Sequence, residues 1–269
     1  MSVRHRKGRG AVSEREGRFT ARPVEFDAEE AYERSLSAPG TELRAMRSRR
    51  IIASNSSPDV PFDRSINPYQ GCEHGCVYCY ARPSHSYLDL SPGLDFETRI
   101  FYKPDAAARL AEEWEKPGYE CEPITIGANT DPYQPAERTT HVTRELLELF
   151  LEHSHPVSII TKGTLITRDL DLLGDLARRK LCSVAISLPT MKRDLKRIME
   201  PRVPSAEARL RAMEQLAAVD IPVSVLLAPV IPALNDDEIE RVLEAAANAG
   251  AGDAAYIFLR LPHEVKDIF

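Results

Sequence analysis

The chain of 269 residues contains no apolar run near the roughly 18 to 20 residues that a membrane-spanning helix needs. Its arginine-rich N-terminal segment also lacks the apolar stretch of a secretory signal peptide. With 43% hydrophobic residues, the chain can still bury one large core. We therefore expect a cytoplasmic protein that makes no membrane contact.

Cysteine is scarce as well, since the chain has only five, an odd number. Disulfide-stabilised domains normally carry even sets of cysteines in secreted chains, so a disulfide framework is not expected. Three of the five nevertheless fall within one stretch of eight residues, at Cys72, Cys76 and Cys79. This clustering makes the loop around them the most informative part of the sequence.

The chain also lacks an excess of basic residues, because its formal net charge is -6 at pH 7. Its surface as a whole is therefore not expected to bind nucleic acid. Residues 1–22 are an exception, with seven lysines or arginines against two glutamates. They suit either a nucleic-acid contact or a solvated terminus, and we favour the terminus because only Phe19 could stack on a base. A second basic group with the same two interpretations consists of Arg44, Arg47, Arg49 and Arg50.

The spacing of the clustered cysteines, C-x3-C-x2-C, allows three thiolates from one short loop to bind one metal centre. Soft thiolate ligands suit iron–sulfur clusters and zinc. Three thiolates would hold three corners of a cubane cluster and leave the fourth iron open to a small molecule, whereas a cluster with four cysteine ligands mainly transfers electrons. Gly71 and Gly75 would supply the backbone freedom of so tight a loop. The spacing therefore favours an open iron–sulfur cluster with Cys72, Cys76 and Cys79 as metal ligands.

Other uses of the three cysteines remain open at this point. The bacterial ferredoxin pattern does not fit, because it has a shorter first gap and a fourth cysteine. A structural zinc site needs four ligands, so one more would have to come from His74, His85, Cys121 or Cys182. Inert thiols are the remaining alternative.

After residue 60, short β-branched runs alternate with amphipathic stretches, which is the pattern of repeated βα units around a parallel sheet. We predict six units. Their strands are expected at residues 64–67, 123–127, 157–161, 183–187, 223–228 and 255–260, with a further strand at 97–102. Helices are expected at 105–115, 138–153, 168–179, 193–199, 205–219 and 236–249. The predicted organisation is a basic, largely irregular extension over residues 1–60 and a barrel over residues 61–269.

The cysteine loop, with Tyr78 just before its last cysteine, resembles the signature of the radical S-adenosylmethionine (SAM) superfamily. Three stretches resemble, more narrowly, a bacterial branch related to spore photoproduct lyase, namely Ser65-Ile66-Asn67-Pro68-Tyr69, Tyr80-Ala81-Arg82-Pro83-Ser84-His85 and Asn129-Thr130-Asp131-Pro132-Tyr133-Gln134-Pro135. The resemblance implies an α/β fold, the partial (β/α)6 barrel of radical SAM enzymes, with its site at the carboxyl ends of the strands. Since the chain stops at Phe269, one turn into the helix that should follow the sixth strand, we expect a barrel truncated in its last helix.

The resemblance also implies the cofactors, a [4Fe-4S] cluster and SAM. One electron from the cluster would split SAM into methionine and a 5′-deoxyadenosyl radical, which would abstract hydrogen from an unknown substrate. An external one-electron reductant of the flavodoxin or ferredoxin type would have to act as a partner. The cofactors supply this chemistry, while the protein supplies placement and shielding.

Four candidates for SAM contacts follow from the resemblance and from the needs of the ligand. Lys162 and Ser187 lie at the ends of the third and fourth predicted strands, where a cation and a hydroxyl group could bind the SAM carboxylate. Tyr78 and Tyr80 flank the last cysteine and could contact the adenine. The two tyrosines could equally shield the cluster from water.

Three further candidates, Asn129, Thr130 and Asp131, follow the second predicted strand. The superfamily usually binds the SAM amino group there, and the Asp131 carboxylate could pair with it. The alternative is purely local, because Asn-Thr-Asp-Pro is also good turn chemistry. We favour the contact with SAM.

Two departures from the lyase pattern limit what can be carried over. The lyase has a hydrogen-donating cysteine where this chain has Asn129, so lyase activity itself is not expected. In the stretch 187–192, Pro189 and Lys192 replace the usual threonine and aspartate. Arg82, Ser84 and His85, just after the cysteine loop, could face the substrate, but a lone histidine is more often structural, and we favour that role for His85. The leading hypothesis is a radical SAM enzyme; the alternatives are a nucleic-acid lyase or repair enzyme and a non-enzymatic, zinc-stabilised binding module.

Overall fold

The computed structural model describes residues 8–11, 15, 17–19, 40–56 and 60–269. Its strands in chain order are β1 (Glu42–Ala45), β2 (Ile52–Ser54), β3 (Arg64–Ile66), β4 (Tyr69–Gln70), β5 (Arg99–Tyr102), β6 (Ile124–Ile126), β7 (Val157–Thr161), β8 (Cys182–Ser187), β9 (Val223–Val230) and β10 (Asp253–Phe258). The helices are α1 (Leu94–Thr98), α2 (Ala106–Trp114), α3 (Glu137–Thr140), α4 (Val142–Glu152), α5 (Leu170–Arg178), α6 (Arg193–Met199), α7 (Ala206–Ala217), α8 (Ile239–Asn248) and α9 (Val265–Ile268). Three 3₁₀ segments cover Arg82–Leu88, Thr164–Asp169 and Asp236–Glu238.

The main sheet has seven strands in the order β10-β9-β8-β7-β6-β3-β2. From β3 to β10 the neighbours are parallel, while β2 pairs antiparallel with the outer edge of β3. Six consecutive parallel strands with intervening helices confirm the predicted α/β fold and its partial barrel. Because β2 and β10 are not paired with each other, the sheet stays open on one side.

The sheet forms because its strands carry buried β-branched residues on the faces that the helices cover. Ile124 and Ile126 in β6, Ile159 in β7 and Ile186 in β8 are all almost completely buried. Apolar residues of the covering helices, such as Phe150 in α4, pack against the same core. Since all six strands run in the same direction, the loops that follow them meet at one edge of the sheet.

The predicted strand at 97–102 is partly wrong, because residues Leu94–Thr98 form helix α1 and only β5 is extended. In α1 the Thr98 hydroxyl group donates to the Leu94 carbonyl oxygen at 2.8 Å, while Leu94 and Phe96 are buried. β5 belongs to a second, three-stranded sheet in the order β1-β5-β4, which the sequence did not predict. The predicted helix at 138–153 is likewise divided into α3 and α4 by His141, whose φ of 54° is left-handed.

The N-terminal part contributes more order than its composition predicts, since β1 and β2 each join a sheet. The division of the chain at residue 60 stays a prediction. Four of the seven basic residues in the predicted tail lie outside the described residues, namely Arg4, Arg6, Lys7 and Arg22.

At the opposite edge of the main sheet, β10 is largely exposed, with Tyr256 and Phe258 facing solvent. A single four-residue helix, α9, follows it within the chain. Among the described residues, no helix combines the length and apolar character needed to cross a membrane.

A buried carboxylate joins the loop after β6 to the end of β7. Asp131 accepts hydrogen bonds from the Thr161 hydroxyl group at 2.6 Å and from the Lys162 backbone N–H at 2.7 Å. Its Oδ2 atom also lies 3.2 Å from Nδ1 of His74 in the cysteine loop. Burial alone would raise the pKa of Asp131, but His74, Thr161 and the Lys162 amide outweigh it and lower the pKa to about 2.

This low pKa predicts an acid-sensitive contribution to stability. Because the folded pKa lies below the unfolded value, the contribution is complete above about pH 4 and is lost as the pH falls towards 2. Between pH 6 and pH 2, wild type should lose about 2 kcal/mol more unfolding free energy than Asp131→Asn, measured by urea denaturation. Asp220→Asn, at an exposed position, serves as the control and should follow wild type. Equal acid sensitivity in wild type and Asp131→Asn would contradict this assignment.

Candidate active site

The cysteine loop follows β3 and β4 at the carboxyl edge of the main sheet. Its thiols are free; Cys72 and Cys76 are buried, and Cys79 is partly exposed. The Cys72 backbone N–H donates to the Phe96 carbonyl oxygen in α1 at 2.8 Å, which fixes the start of the loop. At Gly75, φ is 66° and a Cβ atom would lie 2.7 Å from the Glu97 carboxylate, so the loop needs glycine there.

The three thiols lie within one loop of eight residues, where the charge of one affects the pKa of another. Burial raises the pKa of Cys72, and negative charge on Asp131, Cys76 or Cys79 would raise it further. Burial also raises the pKa of Cys76, and the positive charge of the Lys162 ammonium group offsets part of this rise. A bound metal deprotonates its thiol ligands outright, so loading this site would release protons.

The donor set can be compared with the metal centres considered from the sequence. Among the described residues, no three His, Cys, Asp or Glu side chains surround a point where one metal ion could lie. The thiolates of a cubane bind different iron atoms and need not converge on one point. Three free thiols from one loop, two of them buried, therefore fit three corners of an iron–sulfur cluster.

Behind the loop, Arg82 and Glu97 form a completely buried ion pair at 2.6 Å. Arg82 also donates to the carbonyl oxygen of Cys76 at 2.9 Å, so the pair holds the loop backbone. His85, also buried, lies with Nε2 at 3.0 Å from the Arg99 carbonyl oxygen. The interpretation that Arg82 could face a substrate is therefore wrong, because its side chain is buried in contacts within the fold, whereas His85 has the structural role favoured from the sequence.

The Gln134 side chain bridges the cysteine loop and the loop after β6. Its Oε1 atom accepts a hydrogen bond from the Glu73 backbone N–H at 2.9 Å, and its Nε2 atom donates to the Gly71 carbonyl oxygen at 3.2 Å. The side chain is fully buried. Because both bonds go to main-chain groups, Gln134 fixes the position of the loop whatever side chains Glu73 and its neighbours carry.

A buried carboxylate joins the cysteine loop to β8 and α7. The Tyr78 hydroxyl group donates to Glu200, and Arg209 pairs with Glu200 at 2.6 Å. Arg209 also donates to the main-chain oxygen of Ser187 at 2.7 Å. Burial would raise the pKa of Glu200, but Arg209, Lys162 and the Tyr78 hydrogen bond outweigh it and lower the pKa. Glu200 is therefore an ionised group that fixes the position of Tyr78.

Lys162, at the end of β7, presents a partly buried ammonium group to this region. Its Nζ atom lies 5.9 Å from the centre of the Tyr78 ring, a cation–π contact. Among the described residues, none of the ion pairs within 4 Å includes Lys162. A partly buried cation without a paired carboxylate is suited to an anionic ligand.

The other predicted SAM contacts lie at the same edge but differ in what they offer. Thr130 is buried, and its hydroxyl group donates to the Tyr69 carbonyl oxygen at 2.8 Å. Ser187 is also buried, and its hydroxyl group donates to the Ala228 carbonyl oxygen at 3.3 Å. Both hydroxyl groups already have a partner in the fold.

Tyr80 and Asn129 are exposed at the junction between the cysteine loop and the loop after β6. The Tyr80 hydroxyl group donates to the Ala128 carbonyl oxygen, and the Asn129 backbone N–H donates to Asn67 Oδ1 at 2.8 Å. All seven predicted SAM contacts thus gather at one edge, and their individual roles stay predictions.

Other residues singled out from the sequence have contacts away from this cluster. Lys192 pairs with Asp237 at 2.7 Å, which connects the loops after β8 and β9 at the surface. Cys182 is buried at the start of β8, as expected of a small apolar residue, and donates to the Leu173 carbonyl oxygen. Cys121, by contrast, is exposed.

No role was predicted for Gln134 or Glu97, which hold the cysteine loop from two sides. The only sequence signal is a polar residue beside apolar positions that later prove to be buried, and many surface positions share it. Their partners are 15 or more positions away along the chain, so local spacing does not reveal them.

The comparisons with known proteins agree with this geometry. A family model described as the radical SAM superfamily matches residues 66–246, more than half of the chain. An uncharacterised protein of Mycobacterium tuberculosis is 38% identical over 212 residues, covering 78% of this chain and 62% of its own length. The chain thus spans less than two thirds of the length of this relative. An uncharacterised protein of Methanocaldococcus jannaschii is 29% identical over 197 residues, covering 73% of this chain and 71% of its own length.

Among solved structures, a variant of spore photoproduct lyase with bound AdoMet and a dinucleoside spore photoproduct gives a TM-score of 0.66. The alignment covers 92% of this chain and 70% of that chain at 17% identity, a similarity that extends to the fold. The family match over the barrel, together with the cysteine loop at its carboxyl edge, assigns this chain to the radical SAM superfamily.

Proposed function

We propose that the chain is a radical SAM enzyme whose Cys72, Cys76 and Cys79 hold a [4Fe-4S] cluster and whose neighbouring loops bind SAM. When bound, these cofactors supply reductive cleavage of SAM to methionine and a 5′-deoxyadenosyl radical, which abstracts hydrogen from a substrate. A flavodoxin or ferredoxin would supply the electron, and the cytoplasm would keep the thiols reduced. The observation that carries the proposal is the gathering of three free thiols and the Lys162 ammonium group, which pairs with no carboxylate of the described residues, at the carboxyl edge of a parallel barrel.

The chain's own residues would orient SAM and exclude water. Lys162 offers its ammonium group to the SAM carboxylate. Asp131 already receives hydrogen bonds from two neighbours, so we propose that it mainly holds the loop that carries Asn129 and Thr130. Tyr78, fixed by Glu200, shields the inner side of the thiols, while the exposed Tyr80 covers the outer side.

Asn129 argues against the reaction of spore photoproduct lyase itself. The resemblance places the lyase's hydrogen-donating thiol at this position, and a carboxamide cannot donate a hydrogen atom in the same way. We therefore propose a different hydrogen donor or a different product, on a substrate that reaches the exposed loop after β6.

Anaerobic reconstitution with iron and sulfide tests the cluster assignment. The chain should take up about four irons and four sulfides, the inventory of a cubane. Dithionite and SAM should then release 5′-deoxyadenosine. Cys72→Ala, Cys76→Ala and Cys79→Ala should each abolish this release, while Cys121→Ala, at an exposed position, should retain it.

The same experiment separates the enzyme from a zinc-stabilised binding module. Protein purified without oxygen should contain iron by elemental analysis. Stoichiometric zinc in place of iron, or release of 5′-deoxyadenosine unaffected by Cys72→Ala, would overturn the proposed function.

Lys162→Gln tests the carboxylate contact. Losing a hydrogen bond to a charged group should weaken SAM binding about 10- to 100-fold, measured by calorimetry on the reconstituted protein. Iron content should stay at the wild-type level. Lys116→Gln, at an exposed position after α2, is the control and should bind SAM normally. If the Lys162→Gln variant contains less iron, and its iron-loaded fraction binds SAM with wild-type affinity, the ammonium group helps to bind the cluster and does not bind the SAM carboxylate.

A nucleic-acid substrate is a second candidate, supported by an exposed array of Arg18, Phe19 and Tyr87. The two rings lie 5.0 Å apart, and the Arg18 guanidinium lies 4.9 Å from the Phe19 ring centre and 5.5 Å from that of Tyr87. Tyr87 belongs to the 3₁₀ segment that follows the cysteine loop. Exposed aromatic rings with arginine are groups on which bases stack.

Binding of a labelled single-stranded oligonucleotide tests this candidate. Affinity should fall steeply with salt, and Tyr87→Ala should weaken binding about 5- to 100-fold at low salt. Tyr256→Ala removes an equally exposed aromatic ring on β10 and should change nothing. If the reconstituted chain shows no binding at low salt, nucleic acid is not its substrate.

A further inference from the structure

Residues Arg9, Gly10 and Ala11, here called the N-terminal clasp, lie against the back of the cysteine loop. The Gly10 backbone N–H donates to Glu97 Oε2 at 3.0 Å, and the Ala11 backbone N–H donates to Glu97 Oε1 at 2.7 Å. The Arg9 guanidinium donates to the Glu97 carbonyl oxygen at 2.9 Å. Arg9 and Ala11 are buried. This part of the basic tail is therefore not the solvated terminus that its composition predicts.

The contact between the clasp and the cysteine loop leaves no space for a side chain. A Cβ atom added to Gly10 would lie 1.8 Å from the carbonyl oxygen of Gly75, a backbone atom of the loop. Gly75 is the residue directly before Cys76. Any residue larger than glycine at position 10 must therefore displace either the clasp or the loop backbone.

The clasp supplies hydrogen-bond donors to the buried ion pair behind the thiols. Glu97 accepts hydrogen bonds from Arg82 and from two backbone N–H groups of the clasp, so both oxygens of its carboxylate have donors within the protein. Arg82 in turn donates to the carbonyl oxygen of Cys76. A continuous chain of hydrogen bonds thus runs from the clasp through Glu97 and Arg82 to the thiol-bearing turn.

A second line of contacts connects the clasp to the other end of the loop. Arg9 lies 3.5 Å from the Thr41 hydroxyl group, which donates to Glu73 at 2.8 Å. Arg202, after α6, approaches the same Glu73 carboxylate at 3.3 Å. The clasp therefore contacts both sides of the stretch that contains Cys72 and Cys76.

From this geometry we infer that the N-terminal clasp is part of the cluster-binding site and that Gly10 is a positioning residue, which keeps the cysteine loop in the shape that retains an iron–sulfur cluster. The inference rests on the proposed function as far as the cluster is concerned. The structural part of the inference, that the clasp restrains the cysteine loop, can be tested in metal-free protein.

The test compares Gly10→Ala with Gly40→Ala in the full-length chain. Gly40 is also in the N-terminal part, but a Cβ atom there would meet nothing within 4 Å. The first readout is alkylation of Cys72, Cys76 and Cys79 by iodoacetamide in metal-free protein, quantified by mass spectrometry with the exposed Cys121 as internal reference. The second readout is loss of iron from reconstituted protein to a ferrous chelator.

Gly10→Ala should accelerate both processes about tenfold or more, the effect of losing one hydrogen bond to a charged group. Gly40→Ala should stay within about twofold of wild type. The melting temperature, measured by circular dichroism, should fall by only a few degrees in Gly10→Ala, as a tenfold effect implies for a chain of this size, and should stay at the wild-type value in Gly40→Ala. Deletion of residues 1–11 provides a second variant, expected to match Gly10→Ala.

Wild-type rates in both Gly10→Ala and the deletion would overturn the inference. If the chain takes up no iron at all, the proposed function fails, and the alkylation rates still decide whether the clasp restrains the loop. If alkylation accelerates while chelator release does not, the clasp restrains the loop without helping to retain a cluster, and the inference fails in that part.

Discussion

The buried Arg82 guanidinium imposes the strongest constraint on this site. A buried guanidinium must be paired with an opposite charge, and its N–H groups must have hydrogen-bond acceptors. Otherwise the free-energy cost of removing it from water exceeds the stabilisation that packing provides. Arg82 meets this demand with the Glu97 carboxylate and with the carbonyl oxygens of Cys76, Pro92 and Gly93. The path of the backbone behind the thiols therefore follows from the neutralisation of one charge.

The segment just before β5 shows a contact that local sequence does not reveal. Of the five residues of α1, four are buried, namely Leu94, Phe96, Glu97 and Thr98, whereas a strand would turn alternate side chains to opposite faces. The alternation in the sequence was compatible with a strand. Within α1, Glu97 pairs with Arg82, a contact made across 15 residues.

Most of the barrel could be predicted because its signals are local. Strand β7 was predicted at its observed limits, and α6 likewise, since β-branched runs and amphipathic periodicity are contained within the elements themselves. The short edge strands β1, β2 and β4 escaped prediction because they are two to four residues long and form through pairing with distant partners.

In the candidate site, too, features with local sequence signals were predicted, whereas features that depend on distant contacts were not. Spacing alone singled out Cys72, Cys76 and Cys79, and the order of the strands brought Lys162 and Ser187 towards them. Whether a polar group was free or already bonded could not be predicted, because that depends on neighbours from other loops. The resemblance offered Asp131 as a ligand contact, while the fold surrounds its carboxylate with hydrogen-bond donors, which is why we propose that it supports its own loop.

The shared carboxylate of Glu200 has a consequence for how this sequence can vary over evolution. Tyr78 and Arg209 lie far apart in the chain, yet both bind the one buried carboxylate of Glu200. Replacing Arg209 alone leaves the charge of Glu200 without a partner, and replacing Tyr78 alone leaves a cavity beside it. Either change therefore favours compensating substitutions at the other two positions. Across relatives, residues 78, 200 and 209 should therefore be inherited as a set, and an exchange in helix α7 should be accompanied by one beside the last cysteine.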